Sequence, residues 1–181
     1  MRIISGSARG TRLKTGDSDK VRPTKDVVKE AVFNMIMDYP QNSKCLDLYA
    51  GFGNLGLEAA SRGAKKVTFV EIDARNCDII KENIGIIHGE DVCEVVCNKA
   101  RSYLNYTDQK YDLVFLDPPY DSEEYDKALK KLIAQNCLIN PAIIVLEFYT
   151  RKKPDVDLED FLVLREKEYG KTGVLLLEYQ G

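Results

Sequence analysis

The sequence is poor in the residues that most hydrolytic and metal sites use. It has no tryptophan, one histidine and five cysteines without a Cys-x-x-Cys pair. Serine–histidine catalysis is excluded unless His88 itself serves, and its setting is typical of a solvated helix end. An odd number of unpaired cysteines indicates reduced thiols in a cytosol and gives no zinc pattern, so we expect no metal. We expect Cys93 and Cys97, which lie among valines, to be small core residues of a strand.

The chain also lacks long apolar runs. None approaches the roughly 18 residues that a membrane-spanning helix needs, and residues 1–6 include no long apolar segment typical of a secretion signal. We therefore expect a cytoplasmic protein without a membrane partner. The length of 181 residues, with 44% hydrophobic and 30% charged residues, suits one globular domain.

The formal net charge of −3 hides an asymmetry between the two ends of the chain. Residues 1–30 hold eight basic and four acidic residues, a charge of +4, and the remaining 18 basic and 25 acidic residues give −7. A basic N-terminal segment on an otherwise acidic protein is typical of a protein that binds a polyanion through that segment. A solvated, flexible terminus explains the charge equally well.

The first forty residues read as an extension of the main domain. Residues 2–5 and 11–14 flank a glycine-bracketed turn, which predicts a short basic hairpin. Pro23 and Thr24 then predict a helix start, and Pro40 its end. We divide the chain into a basic N-terminal extension, 1–40, and a main domain, 41–181.

From Lys44 onward, strand and helix patterns alternate with short joints. The last two strands flank a turn signal at 169–173. This alternation predicts an α/β fold with a doubly wound, mostly parallel Rossmann-like sheet and an antiparallel hairpin at its end. The apolar run 142–146 predicts a central strand. The predicted strands are 45–48, 67–70, 92–96, 113–116, 142–146, 161–167 and 174–179, and the predicted helices are 54–62, 74–84, 100–104 and 123–133.

A glycine loop follows the first strand of this series. Gly51-Phe52-Gly53-Asn54-Leu55-Gly56 matches G-x-G-x-x-G and opens a helix, so a ligand can approach its backbone. Alone the pattern is weak, because a glycine-rich joint would look the same. NAD or FAD, with a pyrophosphate at the helix N-terminus, is the first functional alternative.

Acidic residues favour S-adenosylmethionine over a dinucleotide in this loop. Asp47 precedes the loop, where a carboxylate would repel a pyrophosphate but suits an ammonium and a sulfonium. Glu71 ends the second strand and can bind both ribose hydroxyls, a role common to both cofactor types. Asp73 is the alternative residue for binding the ribose hydroxyls, although we expect it to cap the next helix.

The segment Asp117-Pro118-Pro119-Tyr120 follows the fourth strand, at the end where open α/β sheets bind ligands. The carboxylate of Asp117 and a proline-fixed carbonyl can accept the two N–H bonds of a planar amine, and the ring of Tyr120 can stack on its plane. This arrangement suits methyl transfer to an amino nitrogen. Taken alone, Asp117 is more commonly a helix cap, Pro118-Pro119 a rigid turn and Tyr120 a half-buried aromatic residue.

These motifs together resemble class I S-adenosylmethionine-dependent amino methyltransferases, and more narrowly the RsmD-type family. The resemblance covers nearly the whole chain. It is carried by residues 47–56, Glu71, residues 117–120, Ile4–Gly10, Arg22-Pro23-Thr24, Glu30–Asn34, Gly56–Ala64 and Tyr169–Thr172.

The resemblance implies methylation of a guanine N2 of bacterial 16S ribosomal RNA, the partner we expect within the small ribosomal subunit. It implies catalytic roles for the 117–120 segment. The implied cofactor-binding residues are Asp47, Ala50, Gly51, Gly53, Glu71, Ile72, Asn98, Lys99, Ala100 and Asp117. Our candidates for RNA phosphate contacts are Arg9, Arg12, Lys14, Arg22 and Lys25.

The sequence departs from the family pattern at two positions. Lys99 replaces an acid near the adenine, so that contact would fall to a backbone carbonyl or to Asn98. Val27 stands where a basic residue is usual, which removes one possible RNA contact.

Two alternatives stay open. The same acid-Pro-Pro-aromatic segment serves methyltransferases of DNA adenine or cytosine and of protein glutamine, although these usually carry a separate recognition domain. A non-catalytic nucleic-acid-binding module on the same fold is the alternative from another class, and the intact motifs argue against it.

Overall fold

The computed structural model describes residues 1–16, 26–118 and 122–181. Its strands are β1 (Lys44–Asp47), β2 (Lys66–Glu71), β3 (Cys93–Cys97), β4 (Tyr111–Leu116), β5 (Leu138–Tyr149), β6 (Phe161–Tyr169) and β7 (Thr172–Tyr179). Its α-helices within these ranges are α1 (Asp26–Ile36), α2 (Asn54–Ser61), α3 (Ala74–Ile86), α4 (Ala100–Tyr106) and α5 (Ser122–Ala134).

The seven strands form one sheet in the order β3-β2-β1-β4-β5-β7-β6. The first five are parallel, and β7 pairs antiparallel with both β5 and β6. This confirms the predicted α/β class and the antiparallel C-terminal hairpin. The strand order reverses between β1 and β4, which is where a crevice opens at the carboxyl ends of the strands.

Each face of the sheet is covered by its own hydrophobic cluster. One cluster joins the sheet to α1, α2, α3 and the N-terminal arm, and here the rings of Phe33 and Phe115 lie 5.7 Å apart. The other cluster joins the sheet to α4 and α5. The residues Ile143–Leu146 of β5 are buried, as predicted for a central strand, because β5 lies between β4 and β7 with both faces covered.

The N-terminal arm, residues 1–16, folds back on itself as the predicted hairpin, although only one bridge pairs its two sides. That bridge joins Arg2 to Arg12, and the Ile3 N–H donates to the Thr11 carbonyl at 2.9 Å. The turn between them lies on α2. Gly6, at φ 85°, approaches the Ser61 carbonyl so closely that a Cβ there would lie 1.8 Å from its oxygen.

Several predicted boundaries differ from the observed ones. The predicted helix start at Pro23 and Thr24 lies outside the described residues. That helix ends at Ile36 rather than at Pro40, because Met37 adopts a left-handed conformation, φ 45°, that a helix cannot continue. β5 is longer than predicted at both ends, because Leu138 pairs with Tyr111 of β4 at one end and residues up to Tyr149 pair with β7 at the other.

The prediction of two core cysteines in β3 was wrong. Cys97 is exposed and Cys93 only half-buried. The reason is that β3 is the edge strand of the sheet, so its faces are only partly covered. His88 is exposed at the end of α3, as expected. Across the described ranges, no helix combines the length and apolarity needed to cross a membrane.

Candidate active site

Three acidic side chains lie at the carboxyl ends of neighbouring parallel strands. Asp47 ends β1 and is level with Phe69 of β2 and with Phe115 of β4. Glu71 and Asp117 lie two residues further along these two strands. Because residues two apart in a strand share a face, the three carboxylates belong to the sheet face that α1 to α3 cover. Glu71 and Asp117 therefore flank Asp47, one on each side.

The glycine loop between β1 and α2 adopts backbone conformations that favour glycine. Gly51 has φ 54° and Gly53 has φ 82°, both in the left-handed region. Gly56 serves a different purpose, because a Cβ there would lie 2.3 Å from the Phe69 ring. Its missing side chain lets α2 pack closely on β2, as in the third glycine position of nucleotide-binding loops.

Asp47 is buried, 5% exposed, below this loop. Its Oδ2 accepts a hydrogen bond from the Gly56 N–H at 2.9 Å, in the first turn of α2. Burial raises the pKa of Asp47 to about 7, against the lowering effect of the Gly56 N–H and with the help of the charges of Glu71 and Glu147. Sequence reasoning assigned Asp47 only to a cationic ligand. The structure shows that it also anchors the helix.

Glu71 holds the other side of the loop. Its Oε2 accepts from the Gly51 N–H at 2.8 Å, and its Oε1 from the Asp73 N–H at 2.9 Å. Oε1 also accepts from Asn76 Nδ2, at 3.5 Å. A carboxylate has about four acceptor positions, so Oε2 keeps one for a hydroxyl. Asp73 caps α3 by accepting the Arg75 N–H at 2.9 Å, which confirms the predicted cap.

The ends of β2 and β3 form a surface beside Glu71 that consists of Ile72, Asn98 and Lys99. The Asn98 N–H donates to the Glu71 carbonyl at 2.9 Å, which joins the two strand ends. Ile72 is 63% exposed there, although it is apolar. The Oδ1 of Asn98 accepts the Lys99 N–H at 2.8 Å.

Sequence reasoning missed an aromatic ring on this surface, next to Asn98. Tyr106 ends α4, is 61% exposed, and its hydroxyl accepts from Asn98 Nδ2 at 3.4 Å. It lies two residues beyond the predicted helix 100–104 and gave no signal, because an exposed tyrosine there is indistinguishable from a surface residue.

The first half of the Asp117–Tyr120 segment is described. Asp117 is half-buried directly beyond β4, and Pro118 is buried. Pro119 and Tyr120 lie outside the described residues. The acid thus follows the strand end at which the sequence placed it, two residues beyond Phe115, the register partner of Asp47.

Glu147 is a further carboxylate that sequence reasoning missed. It is 8% exposed, near the end of β5, one residue beyond Leu146, the register partner of Leu116. By extension of this register it lies beside Asp117. The available signal was a single acid directly after the apolar run 142–146. The hydroxyl of Tyr125 donates to the backbone carbonyl of Glu147 at 2.6 Å. Burial raises the pKa of Tyr125, and the negative charges of Asp117 and Glu147 raise it further.

The described RNA-binding candidates lie together on the arm. Arg9, Arg12 and Lys14 are exposed on the arm, and Lys14 Nζ forms an ion pair with Glu82 of α3 at 2.9 Å. Arg22 and Lys25 lie outside the described residues. Val27, where a basic residue was expected, is 69% exposed at the start of α1.

This donor set fits S-adenosylmethionine. The buried carboxylate of Asp47 suits a cationic ligand, the Glu71 carboxylate suits a sugar hydroxyl, and the exposed Ile72 suits a flat ring. A pyrophosphate would face the carboxylates of Asp47, Glu71 and Glu147 instead of basic side chains. Within the described part of the chain, no group of three or more His, Cys, Asp or Glu residues is placed to hold a metal ion.

Comparisons with known proteins support the same conclusion. The family model described as "Conserved hypothetical protein 95" matches residues 1–178. The Ribosomal RNA small subunit methyltransferase D of Haemophilus influenzae is 38% identical over 173 residues, which cover 94% of this chain and 89% of that protein. The protein of the same name from Escherichia coli is 31% identical over 178 residues, covering 98% and 89%.

The fold has a close match among solved structures. The structure of the yhhF protein from Escherichia coli superimposes with a TM-score of 0.90 at 30% identity, covering 100% of this chain and 98% of that one. The fold is thus that of the class I methyltransferases, whose methyl donor is S-adenosylmethionine. The resemblance read from the sequence is confirmed: the chain belongs to the RsmD-type family of methyltransferases.

Proposed function

We propose that this protein transfers a methyl group from S-adenosylmethionine to the exocyclic N2 amine of a guanine in bacterial 16S ribosomal RNA. The names of its relatives support a small-subunit ribosomal RNA substrate. One observation supports the chemistry most: Asp117 follows β4 two residues beyond Phe115, the register partner of Asp47, so an acid for the amine lies at the same sheet edge as the cofactor position.

We assign the cofactor to the ends of β1, β2 and β3. Asp47 would bind the cationic amino-acid end, together with backbone groups of Ala50, Gly51 and Gly53. Glu71 would accept the ribose hydroxyls. Ile72 and the backbone of residues 98–100, at the joint between β3 and α4, would contact the adenine. When bound, the cofactor supplies a methyl group on a sulfonium, which is a good leaving group.

The protein's task is to prepare the amine. The lone pair of guanine N2 is delocalised into the ring, which makes it a poor nucleophile. Hydrogen bonds from the amine to Asp117 and to the Pro118 carbonyl would favour a pyramidal nitrogen whose lone pair points at the methyl group. Such positioning can contribute several kcal/mol or more. Tyr120 would stack on the extruded base, for roughly 1–3 kcal/mol.

The arm would position the RNA. Arg9, Arg12 and Lys14 are exposed on it, and phosphate contacts from such residues fix orientation without reading sequence. We assign the same role to Arg22 and Lys25, and we propose that residues 1–40 form the RNA-facing extension of the domain 41–181. A ribosomal RNA substrate would place the protein in the cytoplasm, on the small ribosomal subunit.

The experiment is transfer of labelled methyl to small ribosomal subunits, and to naked 16S RNA, from cells that lack this enzyme. We expect label in one guanine, as N2-methylguanine after nuclease digestion. Label in adenine or cytosine, or none in either RNA sample while the cofactor binds, would overturn the proposal. DNA and protein extracts serve as parallel substrates and test the DNA and glutamine alternatives.

A further inference from the structure

Asn83, a residue of α3 that no cofactor or RNA assignment uses, joins the N-terminal arm to the glycine loop. It is fully buried, with 0% exposure. Its Oδ1 accepts the Lys14 N–H at 2.7 Å, and its Nδ2 donates to the Lys14 carbonyl at 3.0 Å. The same Nδ2 donates to the Phe52 carbonyl of the glycine loop at 3.3 Å. One amide therefore satisfies backbone groups of both segments.

The arm also packs directly on the loop. A Cβ at Gly16 would lie 3.2 Å from the Phe52 ring and 2.9 Å from the Ile79 side chain. The chain at residue 16 thus approaches Phe52 as closely as a glycine allows. Any displacement of residues 14–16 acts on the loop through this contact and through Asn83.

A second buried side chain connects the arm to the start of α2. Lys29 Nζ donates to the Arg2 carbonyl at 2.6 Å and to Asn54 Oδ1 at 2.8 Å. It also forms a buried ion pair at 3.2 Å with Glu58, whose carboxylate accepts the N–H groups of Ile4 and Ser5. Asn54 directly follows the loop glycine Gly53, so both sides of the hairpin are anchored to the loop or to the helix it opens.

We propose that Asn83 is a positioning residue that couples RNA binding on the arm to cofactor binding in the glycine loop. This inference rests on the proposed function, because it takes RNA as the ligand of the arm. Phosphate contacts to Arg12 and Lys14 would stabilise the arm in the position seen here, in which the Lys14 backbone meets Asn83, and so would fix the Phe52 carbonyl. The loop would then be preorganised for the cofactor.

Linkage makes the coupling reciprocal. If RNA tightens cofactor binding by some factor, the cofactor must tighten RNA binding by the same factor. Couplings of this type usually lie between about 5-fold and 150-fold. The carboxamide is suited to this role because it both donates and accepts, whereas a carboxylate would face the Lys14 and Phe52 carbonyl oxygens without a donor.

The test measures the dissociation constant of labelled S-adenosylhomocysteine by equilibrium dialysis, with and without small ribosomal subunits from cells that lack the enzyme. The ratio of the two constants is the coupling. We expect at least about 5-fold for the natural sequence and less than 2-fold for Asn83→Asp. In turnover, Asn83→Asp should raise the KM for both ligands more than it lowers kcat.

Two further variants keep the test decisive. Gly16→Ala alters the same contact from the arm side, through the Phe52 and Ile79 side chains and without replacing Asn83, and should also reduce the ratio if Asn83→Asp fails to fold. Asp78→Asn removes an exposed ion pair with Lys81 on the same helix and should leave the ratio unchanged.

The inference is overturned if the natural protein shows no coupling, or if both folded variants keep its ratio. Failure of the proposed function looks different. In that case the natural protein binds the cofactor but transfers no methyl to either RNA sample. If methyl is transferred to RNA but both variants keep the natural ratio of dissociation constants, only the coupling inference fails and the proposed function stands.

Discussion

Glu71 and Gly51 are joined by a hydrogen bond of 2.8 Å, from the backbone N–H of the glycine loop to the carboxylate that ends β2. The same carboxylate accepts the Asp73 N–H, so it fixes the loop and the start of α3 together. A single buried acid thereby sets the distance between the two strand ends that would bind the cofactor.

Replacement of Glu71 by alanine should weaken cofactor binding by at least tenfold, because both the ribose acceptor and the support of Gly51 are lost. Isothermal titration with S-adenosylhomocysteine measures this. Asp73→Asn is the matched control, since it alters the neighbouring acid that caps α3. If Asp73→Asn weakened binding as strongly as Glu71→Ala, the ribose would have been assigned to the wrong acid.

Asp117→Ala should abolish methyl transfer, by about 100-fold or more, while cofactor affinity stays near that of the natural protein. The reason is that its carboxylate aligns the amine in the reacting state, whereas the cofactor, which the resemblance also places at Asp117, would be held chiefly by Asp47 and Glu71. Single-turnover rates and a cofactor titration on the same preparation separate the two effects. Retained turnover in a folded Asp117→Ala protein would refute the role of this acid.

Most of the fold could be predicted from local patterns. The alternation of apolar runs and helical segments from Lys44 onward sufficed for the parallel sheet, and the glycine loop and Asp117 fixed which sheet edge carries the site. These features are local because each depends on a strand end and the turn that follows it.

The remaining site features depend on contacts between distant segments. Asn83 lies 69 residues from Lys14 in sequence and 31 from Phe52, and nothing in its own neighbourhood marks it. Glu147 becomes part of the site only because β5 pairs with β4. The edge position of β3, which exposes Cys97, likewise follows from strand order and cannot be read from an apolar run.

Gly56→Ala should destabilise the protein by about 1–3 kcal/mol, as overpacking of a close contact usually does. The new Cβ would lie 2.3 Å from the Phe69 ring, so α2 must move away from β2. Urea unfolding measures the change. Gly85→Ala in α3 is the matched control, because a Cβ there meets no atom closer than 3.7 Å and alanine favours the helix. Equal stability of the two variants would show that α2 does not need this close approach.

The pH dependence of the protein should report on Asp47. Its pKa in the folded state is raised to about 7, chiefly by burial, so the folded protein retains a proton that the unfolded chain releases near pH 4. The resulting contribution to stability is complete below about pH 4 and is lost as the pH rises to about 7.

Affinity for a cationic cofactor should change in the opposite sense, because the ionised carboxylate binds it, and should rise through pH 7 with release of a proton. Calorimetric titrations at pH 6 and pH 8 in buffers of different ionisation enthalpy measure both the affinity and the proton. Asp47→Asn keeps an acceptor for the Gly56 N–H but cannot titrate, so its affinity should be lower and flat over this range. A natural protein whose affinity and proton release are the same at both pH values would show that Asp47 is already ionised, or does not meet the cofactor.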